Sequence, residues 1–311
     1  MIITVTLTPA LDKTVAIPGF AVGKVNRIES LRLDAGGKGI NVSKTLQALG
    51  EKSVAMGILG GTNGAFIRES LNQDGIENDF VFVMEDTRTN LKIIDPMGQT
   101  YTDINEPGAP VRAETLSAVL DKVEGRLKPG DVVVLAGKVP LGAPDTLFAD
   151  WTRRLTAKRA AVYLDADDAL LIKGVKALPA LIKPNDEELG RLLGRSFSSL
   201  KQMAQAALEL SQDGIGTVVV SMGGEGALFA RAGVVLRGYG LDVAVKSTVG
   251  AGDSMMAAMC LGAVRGLPFA QTCRMAMAVS AATVMQRGTQ PAALADVQAL
   301  QPHVRLEEMR P

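Results

Sequence analysis

The segment from Ser247 to Ala258 combines a glycine-rich turn with a carboxylate at the start of an apolar helix. It reads Ser-Thr-Val-Gly-Ala-Gly-Asp-Ser-Met-Met-Ala-Ala. The small residues Gly250, Ala251 and Gly252 let a ligand approach the backbone closely, and the helix that opens there directs free N–H groups and its positive dipole end at that ligand. The sequence therefore predicts an anion site at this turn.

Asp253 lies in the first turn of the same helix, beside the predicted anion. A bound phosphate would repel this carboxylate, so its presence suggests a task, and accepting a proton from an attacking hydroxyl is one that suits it. The alternative is that Asp253 only complements the helix dipole, as acidic residues in a first turn often do. The adjacent glycines favour catalysis, which makes Asp253 the candidate general base.

A second glycine-rich segment, Asp34–Val42, also opens a helix and reads Asp-Ala-Gly-Gly-Lys-Gly-Ile-Asn-Val. Its glycines would let a substrate lie against the backbone, while Lys38 and Asn41 offer a charge and an amide to the substrate oxygens. The alternative is a simple turn with a solvated lysine. Neither segment matches Gly-x-Gly-x-x-Gly or Gly-x-x-x-x-Gly-Lys-Ser/Thr, which argues against a typical Rossmann dehydrogenase and a P-loop enzyme.

Short apolar strands alternate with amphipathic helices along the chain, and this alternation must position both segments. The candidate strands are Ile2–Leu7, Ser53–Leu59, Val132–Ala136, Ala161–Asp165, Leu181–Lys183 and Thr217–Ser221, and clear helical periodicity covers Ile40–Leu49, Asn63–Asp74 and Glu114–Leu127. Such a pattern predicts an α/β fold with a doubly wound, mainly parallel sheet flanked by helices. We expect a single domain over residues 1–311.

Two stretches break the alternation. Thr14–Ile17 and Val25–Leu33 have the pattern of extended segments, and Asn90–Ile94 and Thr100–Ile104 flank the turn signal Asp-Pro-Met-Gly. We expect these segments, within about residues 14–33 and 90–104, to form a small β-sheet lid. A sheet of this size is not stable alone, so it would pack on the core or against a second subunit, and we expect a homodimer joined through the lid.

Composition narrows the classes of function. Lys and Arg together number 33, as do Asp and Glu, so there is no net charge to attract nucleic acid or an acidic membrane surface. The N-terminus has no secretory signal and no apolar run has spanning length, so we expect a cytoplasmic protein. The single histidine, His303, and the two cysteines, Cys260 and Cys273, lack metal-ligand spacing, and we expect buried free thiols.

The pair Ala35–Asn41 and Thr248–Asp253 resembles the two signatures of the ribokinase/phosphofructokinase-B family of carbohydrate kinases. Further family landmarks occur in order between or before them, at Pro9–Asp12, Thr87–Asn90, Lys183–Glu188 and Ser221–Gly226, so the resemblance covers almost the whole chain. It implies a ribokinase-like fold with a β lid, and phosphorylation of a sugar hydroxyl by ATP with Mg²⁺.

The resemblance also implies roles for individual residues. Asp253 would be the base and the Gly250–Asp253 turn the anion hole, while Asp12, Gly37 and Asn41 would hold sugar hydroxyls, with Gly36 and Asn90 in the same motifs. Lys183, Asn185, Ser221, Gly223, Gly226 and Thr248 would line the ATP site, and Glu188 would act on Mg²⁺ through water. The region of Ser247, Val249 and residues 282–288 resembles the place where some members hold a monovalent cation such as K⁺.

Within the family, these motifs look like the branch that acts on ketohexose monophosphates. A phosphorylated acceptor needs cations, and Lys24, Arg27, Lys38, Arg88 and Lys138 occur on the predicted lid and facing loops, although any one of them is alternatively a solvated charge. We expect fructose 1-phosphate to be converted to fructose 1,6-bisphosphate, with tagatose 6-phosphate or fructose 6-phosphate as the alternative acceptor. A non-catalytic sugar-phosphate-binding regulator is a third reading.

Two positions depart from the family pattern. Thr8 stands where an asparagine is usual before the proline of the first motif, and Lys138 stands where a small residue is common. Both changes bear on the preference for a particular sugar phosphate rather than on kinase activity, because Asp253 and its glycine-rich turn are intact.

Overall fold

The computed structural model describes residues 1–310. Strands and helices alternate through most of the chain. The strands are β1 (Ile2–Thr6), β2 (Ala10–Ala16), β3 (Ser30–Gly36), β4 (Val54–Gly60), β5 (Glu77–Val83), β6 (Thr89–Asp95), β7 (Thr100–Asn105), β8 (Val132–Ala136), β9 (Ala161–Asp165), β10 (Leu181–Ile182), β11 (Thr217–Ser221), β12 (Gly226–Arg231), β13 (Val234–Tyr239) and β14 (Leu306–Met309). The α-helices are α1 (Lys38–Ala48), α2 (Gly61–Gln73), α3 (Ala113–Arg126), α4 (Leu147–Ala157), α5 (Asp168–Gly174), α6 (Asp186–Leu193), α7 (Leu200–Gln212), α8 (Ala251–Val264), α9 (Phe269–Val284) and α10 (Leu294–Leu300).

The main sheet has ten strands in the order β14-β13-β12-β11-β10-β9-β8-β1-β4-β5. Pairing is parallel from β11 through β5 and antiparallel from β11 out to β14. The predicted doubly wound, mainly parallel sheet is confirmed. Strands β12, β13, β14 and β5 were not predicted. The apolar run Ala227–Ala230 of β12 was overlooked, whereas β14 and the start of β5 are polar.

Helices cover both faces of this sheet. Along β8, Val133 and Leu135 face a core that includes residues of α3, α4 and α7, whereas Val132 and Val134 face α1, α8 and α9. Residues 253–262 of α8 are all buried, because the helix lies between the sheet and two other helices. Cys260 and Cys273 are buried free thiols here, as predicted, and burial raises the pKa of both.

A separate four-stranded sheet stands in the order β3-β2-β6-β7. The prediction of an extended segment over Val25–Leu33 is wrong at its start, since β3 begins only at Ser30 and residues 17–29 form a loop. The Asn26 side chain explains this loop. It accepts a 3.0 Å hydrogen bond from the Ala21 amide and donates one of 2.9 Å to the Ala21 carbonyl, which folds the chain into a turn.

The helices of residues 1–310 include none that combines the length and the apolar character needed to cross a membrane.

Candidate active site

The turn before α8 has the geometry of an anion site. Gly250 precedes the helix with φ 85°, a left-handed conformation that suits glycine. The Ser254 amide donates to the Gly250 carbonyl at 2.9 Å, and the Ala251 amide lies 3.5 Å from the carbonyl of Thr248. Helix geometry leaves the amides of Gly252 and Asp253 without an intrahelical acceptor, so both are available to a phosphoryl group.

Asp253 is buried and paired with the second glycine-rich segment. Its Oδ2 accepts a 2.8 Å hydrogen bond from Nδ2 of Asn41, which lies in the first turn of α1. Burial, with repulsion from the Asp165 carboxylate, raises the pKa of Asp253 to about 6, although the Asn41 bond and nearby lysines oppose the rise. A carboxylate with such a pKa can accept a proton near neutral pH.

Oδ1 of Asn41 is buried and has no hydrogen-bond partner within residues 1–310. A buried amide oxygen without a partner costs free energy, so its retention at this point suggests a donor that arrives with a ligand. A sugar hydroxyl is such a donor.

Two lysines meet at one buried carboxylate. Lys38 Nζ lies 3.1 Å from Oδ1 of Asp165 and 2.8 Å from Oδ1 of Asp167. Lys183, directly after β10, lies 3.2 Å from Oδ2 of Asp165. A Cβ added to Gly252 would be 2.9 Å from Lys183 Nζ, so this ammonium group lies against the anion turn.

The opposite charges in this cluster stabilise one another in their ionised forms. Burial by itself would raise the pKa of Asp165, but Lys183 and Lys38 outweigh it and hold the pKa below its usual value. Burial would lower the pKa of Lys38, but Asp165 and Asp167 raise it. Both residues therefore stay ionised at neutral pH. The two aspartates were missed at the sequence level, although carboxylates at the carboxyl end of a buried parallel strand are a signal for this edge of the sheet.

The small sheet presents a connected polar row. Arg88 Nη1 donates to Oδ1 of Asn90 at 2.9 Å, and Nδ2 of Asn90 donates to Oδ1 of Asp12 at 2.9 Å. Lys92, which sequence reasoning also missed, lies 3.6 Å from Oδ2 of Asp12. Gly36 closes β3 against the same carboxylate, where an added Cβ would be 2.6 Å from Asp12 Oδ2. Gly37 follows and precedes α1.

Asn185 and Glu188 form a capping box at the start of α6. The Glu188 amide donates to Asn185 Oδ1 at 2.7 Å, and the Asn185 amide donates to Glu188 Oε2 at 2.8 Å. Burial raises the pKa of Glu188. Asn185 also bridges to Ser221 at the end of β11, and Gly223 and Gly226 enclose the short turn that follows it. These residues thus line one continuous edge.

Comparison with known proteins identifies the chain. Residues 7–296 match the pfkB family of carbohydrate kinases. The chain belongs to this family. It is 37% identical to a 1-phosphofructokinase from Rhodobacter capsulatus over 90% of this chain and 89% of that protein. It is 34% identical to a 1-phosphofructokinase from Vibrio cholerae over 100% of this chain and 98% of that one.

A solved structure shares the fold of this pfkB kinase. The crystal structure of phosphofructokinase-2 from Escherichia coli in complex with potassium superposes with a TM-score of 0.93 at 26% identity, covering 97% of this chain and 98% of that chain. The predicted family and ribokinase-like fold are confirmed, and the protein is a phosphotransferase with an alcohol group as acceptor.

Three of the cations that were predicted to bind the acceptor phosphate lie outside the charged cluster around Asp165. Lys24 and Arg27 lie on the exposed loop between β2 and β3, and Lys138 is exposed after β8. Within residues 1–310 none of these three side chains forms an ion pair, and Lys138 contributes only its carbonyl, which accepts a 3.2 Å bond from Thr8. Their roles stay predictions, whereas Lys38 and Arg88 lie among the candidate site residues.

Proposed function

We propose that this pfkB kinase transfers the γ-phosphoryl group of ATP to fructose 1-phosphate and forms fructose 1,6-bisphosphate. The observation that carries the proposal is a second group of cations apart from the lysine pair at Asp165. Lys38 and Lys183 both contact Asp165, and Lys183 also lies against the anion turn, whereas Arg88 and Lys92 belong to the polar row of the small sheet. An acceptor that already carries a phosphate needs this second group. The names of the two bacterial relatives support the same acceptor.

In the proposed reaction, Asp253 takes the proton of the acceptor hydroxyl as its oxygen attacks the γ-phosphorus and ADP leaves. Asn41 orients this carboxylate through Nδ2 and receives a substrate hydroxyl at Oδ1. The amides of Gly252 and Asp253, unpaired within residues 1–310, the long-bonded amide of Ala251 and the Lys183 ammonium stabilise the transferring phosphoryl group. Positioning and charge stabilisation supply most of the catalysis in such transfers.

Asp12, Asn90 and the backbone of Gly36 and Gly37 hold the sugar in this proposal, and Arg88 binds its phosphate. Lys38 adds positive charge nearby, although Asp165 and Asp167 already contact its ammonium group. The rigid row from Arg88 to Asp12 supports this assignment because it fixes donors and acceptors before the ligand arrives. Lys24, Arg27 and Lys138 add positive charge from exposed positions. Tagatose 6-phosphate and fructose 6-phosphate carry their phosphate at the other end of the sugar from fructose 1-phosphate, so it would lie in a different place relative to Asp253.

ATP binds along the edge formed by Ser221, Gly223, Gly226 and Thr248, with Lys183 and Asn185 near its phosphates. One oxygen of Glu188 accepts the Asn185 amide, which leaves the other for a Mg²⁺-bound water. Residues 1–310 contain no group of three or more His, Cys, Asp or Glu side chains that could hold a metal ion. In this proposal Mg²⁺ would keep several waters and the nucleotide phosphates as ligands and would neutralise phosphate charge. A monovalent cation near residues 282–288 is part of the proposal, supported by the potassium complex of the E. coli structure.

The small sheet also supports a homodimer. Leu33 and Ile104 lie in one row of this sheet, on either side of Lys13 and Leu91, and Leu31 lies on the same face. The exposed fractions of Leu31 and Ile104 are 53% each, although both are apolar. A second subunit would cover this face.

The experiment that tests the proposal is ATP consumption with fructose 1-phosphate, tagatose 6-phosphate and fructose 6-phosphate in parallel. Arg88→Ala should raise KM for the preferred sugar phosphate by about tenfold or more while KM for ATP stays near its wild-type value. Arg153→Ala, which removes an exposed arginine of α4, is the matched control. Preference for tagatose 6-phosphate would contradict the acceptor assignment, and equal changes in both KM values would remove Arg88 from phosphate binding.

A further inference from the structure

Glu106 follows β7 and forms hydrogen bonds with the side chain of Arg88 and the backbone of Thr89. Its carbonyl accepts a 3.0 Å hydrogen bond from Arg88 Nη1. Its amide donates to the Thr89 carbonyl at 3.2 Å, and its carboxylate Oε2 accepts from the Thr89 amide at 2.7 Å. One residue therefore fixes both Arg88 and the residue after it, although Glu106 itself is exposed.

The Arg88 guanidinium is oriented by neutral oxygens. Besides the Glu106 carbonyl, it donates to Oδ1 of Asn90 at 2.9 Å and, from Nε and Nη2, to the Thr8 carbonyl at 3.4 Å. Within residues 1–310 no carboxylate forms an ion pair with it. Burial lowers the pKa of Arg88, with Asp12 and Glu106 opposing that effect, but a guanidinium stays charged at neutral pH. Its positive charge is thus fixed in direction and not neutralised by contact.

The Glu106 carboxylate does not contact the Arg88 guanidinium and so leaves its positive charge available. It binds the Thr89 amide, whereas a carboxylate in direct contact with the guanidinium would compete with a bound phosphate. The segment after it also packs on Arg88: Gly108 has φ 80°, and an added Cβ would lie 3.3 Å from Arg88 Cδ. The chain from Glu106 through Pro107 to Gly108 therefore covers both the head and the stem of this arginine.

We infer that Glu106 is a positioning residue for the acceptor phosphate. It fixes the Arg88–Thr89 backbone and the guanidinium plane, and it does so without touching the ligand. The inference rests on the proposed function of Arg88, and it assigns the acceptor specificity of the site in part to an exposed residue outside the glycine-rich motifs. The hydrogen-bond acceptor at Oε2, rather than the negative charge, is the feature that matters.

The test compares Glu106→Ala and Glu106→Gln with the wild-type enzyme, using whichever ketohexose phosphate the wild type phosphorylates best. Glu106→Ala should raise KM for that sugar phosphate by about tenfold, with kcat and KM for ATP within about threefold of wild type, because one positioning hydrogen bond is lost. Glu106→Gln keeps an acceptor oxygen and should restore most of the affinity. Glu114→Ala, an exposed glutamate of α3, is the control and should change neither KM.

A double-mutant cycle separates positioning from a general structural effect. Glu106→Ala should add little on the Arg88→Ala background, because its effect acts through that side chain. Additive effects, equal losses for both substrates, or failure of Glu106→Gln to recover affinity would each overturn the inference, as would an unchanged KM in Glu106→Ala. Thermal unfolding of each variant reports folding separately. Wild-type preference for another sugar phosphate would sink the proposed acceptor alone, since this comparison does not depend on which one is used.

Discussion

Nδ2 of Asn41 donates a 2.8 Å hydrogen bond to Oδ2 of Asp253, and this bond joins the first turns of α1 and α8 across 212 residues of sequence. The other side-chain oxygen of Asn41 is buried without a partner. A hydroxyl that donated to this oxygen would lie next to the Asp253 carboxylate. The pair therefore has the arrangement needed to hold an acceptor hydroxyl and to remove its proton.

Replacement of the base should separate chemistry from binding. In Asp253→Asn the amide oxygen can still accept the Asn41 hydrogen bond, so the site keeps its shape while it loses the proton acceptor. We expect kcat to fall by roughly 10²–10⁴-fold with ATP binding still measurable. Steady-state kinetics and equilibrium titration with ATP check this. A kcat close to wild type would remove Asp253 from the role of base and revive the reading of a dipole-complementing carboxylate.

The activity should also depend on pH through the same carboxylate. The pKa of Asp253 is raised to about 6, and a base must be deprotonated to act. We therefore expect kcat/KM for the sugar phosphate to be constant above about pH 7 and to fall tenfold per unit below about pH 5, once allowance is made for titration of the substrate phosphate. A profile measured from pH 4.5 to 8.5 checks this, and a flat profile down to pH 4.5 would contradict the assignment.

The stability of Asp253→Asn should change in the opposite direction to its activity. The folded-state pKa of about 6 lies above the value of 3.8 expected in the unfolded chain, so ionised Asp253 destabilises the fold at neutral pH. The penalty begins near the unfolded pKa of 3.8, grows through pH 5 and is complete above about pH 7. We expect Asp253→Asn to raise the free energy of unfolding by about 3 kcal/mol at pH 8.

Urea unfolding of both proteins at pH 4, 5 and 8 measures this gain. Asp150→Asn, which alters an exposed carboxylate of α4, is a control that should show no such pH-dependent gain. A destabilised Asp253→Asn at pH 8 would show that the charged form makes favourable contacts that outweigh its burial.

The parts of the fold that sequence reasoning located are those with local signals. The central strands, such as Val132–Ala136, are short apolar runs, and the glycine-rich segments mark both helix starts at the site. Asp253 was identifiable because its glycines and its helix are its sequence neighbours. By contrast, the sequence of β14, Leu-Glu-Glu-Met, does not alternate between apolar and polar residues. This strand forms because it pairs with β13, and that pairing cannot be predicted from the local sequence.

The charge cluster could not be found in the same way. Lys38 and Asp165 are separated by 127 residues, and only the fold brings the first residue of α1 next to the carboxyl end of β9. Lys38 was therefore predicted to bind a phosphate, and its two aspartate partners were not identified. The turn at Asn26 also depends on contacts that the sequence pattern does not show. Two hydrogen bonds between Asn26 and Ala21 outweigh the preference of Val25 and its neighbours for an extended conformation.

Gly252 should be sensitive to a single added methyl group. In Gly252→Ala the Cβ would lie 2.9 Å from Lys183 Nζ, so the flexible lysine must move away from the anion turn. We expect kcat to fall by about 10- to 100-fold because a preorganised cation is displaced, while stability changes little. Gly125→Ala is the control: Gly125 lies in α3 with open space around it, and alanine there should stabilise the helix without affecting kcat. Unchanged kcat in Gly252→Ala would show that Lys183 does not act at the turn.

The apolar face of the small sheet should hold two subunits together. Leu33→Lys with Ile104→Lys places two charges in one row of that face, and desolvating them in an interface would be costly. We expect a wild-type dimer and a monomeric double variant in sedimentation velocity at micromolar concentration, and Leu141→Lys, an exposed apolar position elsewhere, should stay dimeric.

The monomeric variant should also bind the sugar phosphate less well. The opposite face of the same sheet carries Asp12 and Asn90, whose side chains are bonded to each other, so a sheet that loses its cover would hold them less firmly. We expect KM for the acceptor to rise by a larger factor than KM for ATP, because Lys183 and the anion turn belong to the main body. A wild-type monomer, or a double variant that remains dimeric, would show that this face is not the subunit interface.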